Sequence, residues 1–285
     1  MDLTLREWVR MARRCGSLAK AAIAAQAAES GVTEEKLRQI MLHHLHCMQE
    51  AAKNGLDEKL RSVSGLTGGQ AAHLLRYYQQ GSSLCGAILG KAEVYALSTA
   101  ECNACMGKIV AAPTAGACGI LPGAILAMME ERGVTEDAAV DALFAAAAVG
   151  QSIATQASIS GAEGGCQAEC GSAAAMAAAA LVSLQGGNAQ QCADAAAFAL
   201  MNLLGLVCDP VGGLVEVPCV YRNVGSSGVA FTAADMVLSG ICCPIDPDEV
   251  ILAMKEVGDA LPSSLRETGE GGCAACASIC NRLRM

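Results

Sequence analysis

Three cysteines are the residues of this chain best suited to hold an inorganic cofactor. Each lies in a segment that carries glycine or proline, where the backbone can bend around a buried group, and the three are Cys166, Cys208 and Cys219. They belong to separate segments, as is typical of a buried iron–sulfur cluster, whereas a zinc ribbon uses close C-x-x-C pairs. We therefore predict that they are thiolate ligands of an iron–sulfur cluster with one iron left open.

The elements around these cysteines have to bring them together. The sequence predicts that Cys166 begins a long apolar helix, that Cys208 ends the next helix, and that Cys219 lies in a loop after Pro218. Backbone N–H groups next to such a cluster can donate to its sulfides and tune it. The glycines that would allow this approach are Gly164, Gly165, Gly212 and Gly213.

Several segments together resemble a known family. Residues 112–122, 163–171 and 208–223 are similar to the signature segments of the iron–sulfur-dependent L-serine dehydratase (L-serine ammonia-lyase) α chain. The resemblance extends over residues 64–272, which is most of the chain. It implies conversion of L-serine to pyruvate and ammonium by a [4Fe–4S] cluster whose open iron binds the substrate, without pyridoxal phosphate. The spacing of the three cysteines agrees with that of the family's ligand cysteines.

The resemblance also implies other catalytic residues. Asn103 and Lys108 fall on the family's Asn-Ala-x-Met-Gly-Lys pattern, which borders the active site. Glu163 and Glu169 are acid/base candidates if burial raises their pKa values, although Glu169 can also serve only to cap and support its helix. In the family a smaller β chain or domain contributes a Ser-rich segment with a histidine. This chain has no such segment, so we expect a β subunit to supply the α-proton base.

Two regions are candidates for binding the substrate carboxylate. Residues 113–122 form a Gly- and Pro-containing loop before a helix, where free backbone N–H groups bind anions. A plain turn would explain this loop equally simply, and the family resemblance favours binding by Thr114, Ala115 and Gly116. Arg222 is the first cation after a long cation-free stretch and has Asn223 beside it. Carboxylate binding, cluster charge balance and a structural ion pair are all open for Arg222.

The C-terminal segment carries further thiols that depart from the family's usual ending. Some family members have a C-terminal cysteine that folds back onto the open iron, and Cys273, Cys276 or Cys280 would take that place here. A frayed, unligated tail is the alternative. The Cys102/Cys105 pair has the C-x-x-C spacing of a redox site but no strand–helix context, so we interpret both residues as small apolar ones.

Composition limits the class of protein. The net charge of −9 and the absence of a basic stripe argue against a nucleic-acid partner. Sixteen cysteines without a secretory leader indicate a reducing cytoplasm. Residues 171–193 carry no charge, but they are rich in Ala, Ser, Gly and Gln and contain Gly186-Gly187, which disfavours a membrane span.

The apolar pattern predicts an all-α fold in one globular domain of packed, Ala-rich helices around the cluster. Only 3% of the residues are aromatic, so small side chains must fill the core. We expect an N-terminal helical scaffold to about residue 60, a cluster and substrate core over 64–272, and a flexible Cys-rich tail over 273–285. The predicted helices include 2–29, 33–53, 136–149, 151–159, 166–185, 188–205, 229–240 and 247–260.

Two other functions remain open from the sequence. A related cluster-dependent lyase acting on cysteine or another small hydroxy or amino acid would carry the same cysteines. A non-enzymatic electron carrier or sensor would also contain an iron–sulfur cluster, but electron carriers usually ligate every iron through the protein.

Overall fold

Helices joined by loops make up the part of the chain that the structure describes. The structure is a computed structural model that describes residues 2–283, without the side chains of Cys280, Asn281 and Leu283. In this range the only extended pairing is an isolated bridge between Cys208 and Arg266. The predicted all-α fold is therefore confirmed. The helices are α1 (Leu5–Cys15), α2 (Leu18–Ser30), α3 (Glu34–Asn54), α4 (Gln70–Gln79), α5 (Gly86–Ala104), α6 (Ile120–Arg132), α7 (Glu136–Gln156), α8 (Gly161–Gly164), α9 (Ser172–Leu184), α10 (Ala189–Leu203), α11 (Cys219–Leu238), α12 (Pro247–Ala260) and α13 (Ala277–Leu283).

Helix α9 is the centre of the molecule. Its residues from Ser172 to Val182 are all buried, and it packs against α6, α7, α10 and α11. Most of these residues are alanines, and small side chains at a helix contact allow the axes to approach closely. The aromatic-poor composition thus produces a dense helical core, and the loops at one end of α9 carry the candidate site.

Several helix ends follow local sequence signals, as predicted. Thr33 caps α3 by accepting the N–H of Lys36. Asn188 forms a capping box with Gln191 at the start of α10. Asp246 caps α12 and is followed by a proline in the first turn.

The predicted helix over residues 2–29 is wrong in one respect, because it is two helices. Gly16 adopts φ +94°, in the left-handed region, and ends α1, and Ser17 then caps α2 by accepting the N–H of Lys20. The opposite happens over 136–159, where the two predicted helices form the single helix α7. Gly150 lies inside α7 because a Cβ there would lie 2.8 Å from the Met176 sulfur. Close packing against α9, and not a turn, explains that glycine.

Helix α11 begins ten residues before the predicted start at Val229. Its first residue is Cys219, and it continues through Gly225 and Gly228, which leave open space around their backbone. Glycine costs a helix interior roughly 1 kcal/mol relative to alanine. The packing of α11 against α5, α9 and α10 offsets that cost.

Two helical stretches are long and apolar enough to cross a membrane by length and composition, Glu136–Gln156 and Gln167–Leu184. In the folded chain 67% of the first apolar window and 83% of the second are buried. Both pack as core helices.

Candidate active site

The three predicted cluster cysteines lie at the junctions of separate elements. Cys166 directly precedes a π-helical turn, Gln167–Gly171, that leads into α9. Cys208 lies beyond the end of α10, in an extended segment whose N–H donates to the Leu265 carbonyl at 2.9 Å. Cys219 is the first residue of α11. The sequence prediction therefore misplaced Cys208 at a helix end and Cys219 in a loop, because extended backbone pairing and the glycines of α11 obscured the boundaries.

All three thiols are buried and share one electrostatic environment. Their side chains belong to residues that are 3%, 4% and 8% exposed for Cys166, Cys208 and Cys219. Burial raises the pKa of the Cys219 thiol to about 12, and the charge of Cys166 adds to this rise. Burial likewise raises the pKa of Cys208, again with contributions from nearby negative charges that include Cys166. None of the three forms a disulfide. The raised pKa values favour the protonated forms of Cys208 and Cys219 when no metal is bound, and a bound metal would replace these protons.

A fourth thiol, which the sequence prediction did not single out, lies beside Cys166. The Sγ atoms of Cys166 and Cys170 are 3.4 Å apart. The hydrogen bond between the two thiols lowers the pKa of Cys166, and the nearby Arg222 guanidinium lowers it further. The four-residue spacing of Cys166 and Cys170 at the start of a helix was the sequence signal that could have indicated this contact.

Glu169 lies among these cysteines in a cradle lined by glycine. Thr114 Oγ1 donates to Glu169 Oε1 at 2.7 Å. A Cβ at Gly116 would lie 3.0 Å from Oε1, and one at Gly161 would lie 2.7 Å from Oε2 and 2.8 Å from Cys208 Sγ. Burial raises the pKa of Glu169, and the bond from Thr114 opposes that rise in part. A carboxyl group that can hold a proton thus borders the cysteine site.

The loop that contains Thr114, Ala115 and Gly116 is held by two amide side chains. Asn103 Nδ2 donates to the Ala115 carbonyl at 3.2 Å. Asn223 Nδ2 donates to the Gly116 carbonyl at 2.7 Å. The two predicted site asparagines therefore meet the predicted carboxylate loop through its backbone carbonyls.

Arg222 is occupied by protein groups. Its Nη2 lies 2.8 Å from Asp209 Oδ1, and its Nη1 donates to the Val207 carbonyl at 2.7 Å. The guanidinium also interacts with the Cys166 side chain. These contacts give Arg222 the surroundings of a charge-balancing group beside the cysteines.

The C-terminal segment reaches this same region. Asp209 Oδ2 accepts the N–H of Cys273 at 2.6 Å, and a Cβ at Gly272 would lie 2.3 Å from that oxygen. The tail predicted to be flexible contains a 3-10 turn, Gly272–Ala275, and the short helix α13. Cys276 is exposed. The side chain of Cys280 lies outside the described residues.

Lys108 stands apart from this cluster of residues. It is exposed, and in residues 2–283 its ammonium group forms neither a hydrogen bond nor an ion pair with a described partner. Among the described residues, Lys108 is related to the site only through the chain, because it follows Asn103 and the C-terminal end of α5.

Two buried carboxylates that the sequence prediction missed hold a neighbouring Gly-rich turn, residues 64–69. Glu101, which is 0% exposed, accepts four hydrogen bonds. Glu216 accepts the Ser62 hydroxyl at 2.6 Å and the Ser64 N–H at 3.1 Å. An acidic residue in an otherwise apolar segment was the only signal for either. The four donors to Glu101 are the Thr67 hydroxyl and the N–H groups of Gly68, Gln70 and Ala71.

In the described part of the chain, no three His, Cys, Asp or Glu side chains converge closely enough to hold a single metal ion. A cluster makes a different demand, because its ligand sulfurs surround several metal atoms and do not meet at one point. Three buried thiols from separate elements can therefore ligate a cluster, although they do not form a site for a single metal ion.

The family of this chain follows from its sequence similarity to known proteins. The model of the serine dehydratase alpha chain family matches residues 13–274. The chain belongs to this family.

Its relatives occur both as separate chains and as longer ones. The chain is 48% identical over 243 residues to the probable L-serine dehydratase, alpha chain, of Bacillus subtilis (strain 168), covering 85% of this chain and 81% of the relative. It is 41% identical to the L-serine dehydratase, alpha chain, of Peptoniphilus asaccharolyticus, covering 86% and 84%. It is also 37% identical to the L-serine dehydratase of Helicobacter pylori (strain 26695), covering 82% of this chain but 53% of that longer protein.

Proposed function

We propose that this chain is the α subunit of an iron–sulfur L-serine ammonia-lyase, which converts L-serine to pyruvate and ammonium. Membership of the serine dehydratase alpha chain family supports the activity. The observation that carries the proposal is the burial of Cys166, Cys208 and Cys219 in one electrostatic environment without a disulfide.

The three thiols fit a [4Fe–4S] cluster with one iron not ligated by them. Gly161 lets the backbone approach this site closely, because a Cβ there would lie only 2.8 Å from Cys208 Sγ. When bound, the cluster supplies a Lewis-acid iron that holds the substrate and makes hydroxide a better leaving group. Pyridoxal phosphate has no part in this proposal, since its Schiff-base chemistry uses a lysine in the site and the described cysteine site contains none.

Glu169 is the chain's candidate for moving a proton. Thr114 donates to Oε1, which leaves Oε2 as the atom that carries the proton, and Oε2 faces Gly161 and Cys208. From there the carboxyl group can protonate the hydroxyl that leaves Cβ of serine, because burial favours its neutral form. The loss of water gives aminoacrylate, which tautomerises to the imine and is hydrolysed to pyruvate and ammonium.

The loop of Thr114, Ala115 and Gly116 is the proposed site for the substrate carboxylate. Asn103 and Asn223 hold its carbonyls, so its N–H groups are directed away from them. Arg222 balances the charge of the cysteines, since Asp209 and Val207 already engage its guanidinium. Lys108, which is exposed just beyond the end of α5, is proposed to contact the substrate when a second subunit covers it.

We further propose a β subunit as the partner, giving a hetero-oligomer without nucleic acid or membrane that works in the cytoplasm. Exposed apolar side chains around the Gly-rich turn support a protein partner on this face. Val63 and Val215 adjoin Ser64 and Glu216, which are hydrogen-bonded to each other. Met106, just beyond the end of α5, is a further exposed apolar side chain, 83% exposed. The β subunit would bring the α-proton base to the substrate.

The experiment is anaerobic reconstitution of the chain with iron and sulfide, followed by iron analysis, visible and EPR spectra, and titration with L-serine. Replacement of Cys166, Cys208 or Cys219 by serine should each abolish the cluster. The matched controls are Cys192→Ser, a buried thiol away from the site, and Cys242→Ser, an exposed one. Serine should change the spectrum of the intact protein. Equal iron loss in all five variants, or a colourless reconstituted protein, would contradict the proposal.

The activity test adds the β subunit and compares L-serine with cysteine, threonine and small hydroxy acids. Pyruvate formation from L-serine is the expected result. A preference for cysteine or a hydroxy acid would be consistent with the proposed cluster but would contradict L-serine as the substrate.

A further inference from the structure

Cys170 is a buried thiol to which the proposed function gives no role. Its Sγ lies 3.4 Å from the Sγ of Cys166, within hydrogen-bonding distance for sulfur. Cys170 is 1% exposed, so no water competes for its S–H group. Its only described side-chain hydrogen-bond partner is Cys166.

The backbone around Cys170 is fixed by unusually specific contacts. The π-helical turn Gln167–Gly171 places the two thiols one wide turn apart. Gln167 holds this turn, because its Nε2 donates to the Met254 carbonyl at 2.8 Å and its Oε1 accepts the Gly205 N–H at 2.9 Å. The main-chain N–H of Gln167 also donates to the Leu206 carbonyl at 2.9 Å. The thiol pair is therefore set by three contacts from two other elements.

We propose that Cys170 is a positioning residue that donates its S–H to the Sγ of Cys166 while Cys166 ligates the cluster. This inference rests on the proposed function. A ligand thiolate has no proton, so of the two sulfurs only Cys170 can donate. Hydrogen bonds to ligand sulfurs are among the factors that set the reduction potential of an iron–sulfur cluster. The donor stabilises the more negative, reduced cluster and so raises its potential.

The same hydrogen bond affects the iron that Cys166 ligates, which is not the open iron of the proposed function. A donor withdraws electron density from the ligand sulfur, and the iron that carries this sulfur becomes more electron-poor. Cys170 also keeps the Cys166 side chain in one orientation. Both effects act through Cys166, without contact between Cys170 and the substrate.

The test compares reconstituted clusters in the full chain with Cys170 as the only variable. Cys170→Ala and Cys170→Val both remove the donor, and Val also keeps the side-chain volume. Cys170→Ser restores an O–H donor. The matched control is Cys192→Ala, which removes another thiol buried to 1%, one that forms no hydrogen bond to another cysteine in the described part of the chain. The reduction potential is measured by spectroelectrochemistry, and the iron–thiolate stretching bands by resonance Raman spectroscopy.

The expected result is a more negative potential and shifted iron–thiolate bands in the Ala and Val variants, with partial return in the Ser variant and no change in Cys192→Ala. Potentials and bands that are the same in the Ala, Val and wild-type proteins would overturn the inference. If either donor-free variant fails to fold, the other and the Ser variant still decide. Absence of a cluster from the wild-type protein would instead contradict the proposed function, so the two failures are distinguishable.

Discussion

Asn223 Nδ2 donates to the carbonyl oxygen of Gly116 at 2.7 Å and so ties the first turn of α11 to the loop before α6. The same nitrogen donates to the Cys219 carbonyl at 2.9 Å, and Oδ1 accepts the Gly119 N–H at 2.8 Å. One side chain, 1% exposed, thus connects a proposed cluster ligand with the proposed carboxylate loop. The distance between these two parts of the site depends on it.

Replacing Asn223 by alanine should weaken both folding and substrate binding. It leaves buried partners unpaired at Gly116 and Gly119, which costs about 2–4 kcal/mol in the free energy of unfolding. Urea denaturation of the cluster-free chain measures this loss, and KM for L-serine in the assembled enzyme should rise. The control is Asn202→Ala, which removes an exposed amide that donates to the Phe198 carbonyl and should change stability little. Equal stabilities of the two variants would contradict this role.

Glu101→Gln tests the buried carboxylate that holds the Gly-rich turn. Oε1 accepts from Thr67, Gly68 and Gln70, and Oε2 accepts from Ala71 at 2.9 Å. In Glu101→Gln the side-chain NH₂ would face the N–H and O–H donors that one carboxylate oxygen accepts in the wild type. We expect the free energy of unfolding to fall by about 2–4 kcal/mol. Exposed Glu256 in α12 provides the control, since Glu256→Gln removes an equal charge without buried donors. Unchanged urea midpoints for both variants would rule out the anchoring role.

The helix boundaries that could be predicted from the sequence are those set by neighbouring residues. The caps at Asn188 and Asp246 depend on groups within three positions, and both were predicted. The continuity of α7 through Gly150 depends on Met176, which lies in another helix. The start of α11 at Cys219 depends similarly on packing against other helices. The residues next to Gly150 and Cys219 in the sequence do not indicate these contacts with distant residues.

The same distinction applies to the site. The cysteines could be singled out by residue type and by resemblance, because thiols in Gly- and Pro-containing segments have a recognisable chemistry. Glu101 could not, since its donors lie 30 or more positions earlier in the chain. The contact of Cys170 with Cys166 required the π-helical turn, which no local pattern predicts. Resemblance identified the groups that do chemistry, and packing decides how they are held.

Asp246 should make stability depend on acid pH. The hydrogen bond from Arg6, the largest cause, lowers the pKa of Asp246 below its usual value of 3.8. A lowered carboxyl pKa means that the unfolded chain binds more protons, so this contribution is present above pH 3.8 and is lost as pH falls through the folded-state pKa. Asp246→Asn keeps a helix cap but removes the charge, and it should flatten that part of the profile.

The measurement is the free energy of unfolding against pH for the wild-type chain, Asp246→Asn and Asp246→Ala. Loss of the cap in the Ala variant should cost about 1 kcal/mol at neutral pH. The Asn variant separates the cap from the charge. Profiles for wild type and Asp246→Asn that run parallel below pH 3.8 would exclude the charge contribution.

Gly161→Ala tests whether the cradle around Glu169 is needed for the cluster. The added Cβ would lie 2.7 Å from Glu169 Oε2 and 2.8 Å from Cys208 Sγ, so at least one of them must move. Overpacking of this kind costs about 1–3 kcal/mol, and the displaced thiol should lower the iron bound on reconstitution. Gly225→Ala is the matched control, because Gly225 is helical with open space around it and should gain up to about 1 kcal/mol. Full iron content and full activity in Gly161→Ala would mean that the site tolerates a side chain there, and that Glu169 and Cys208 need not keep the positions seen in this fold.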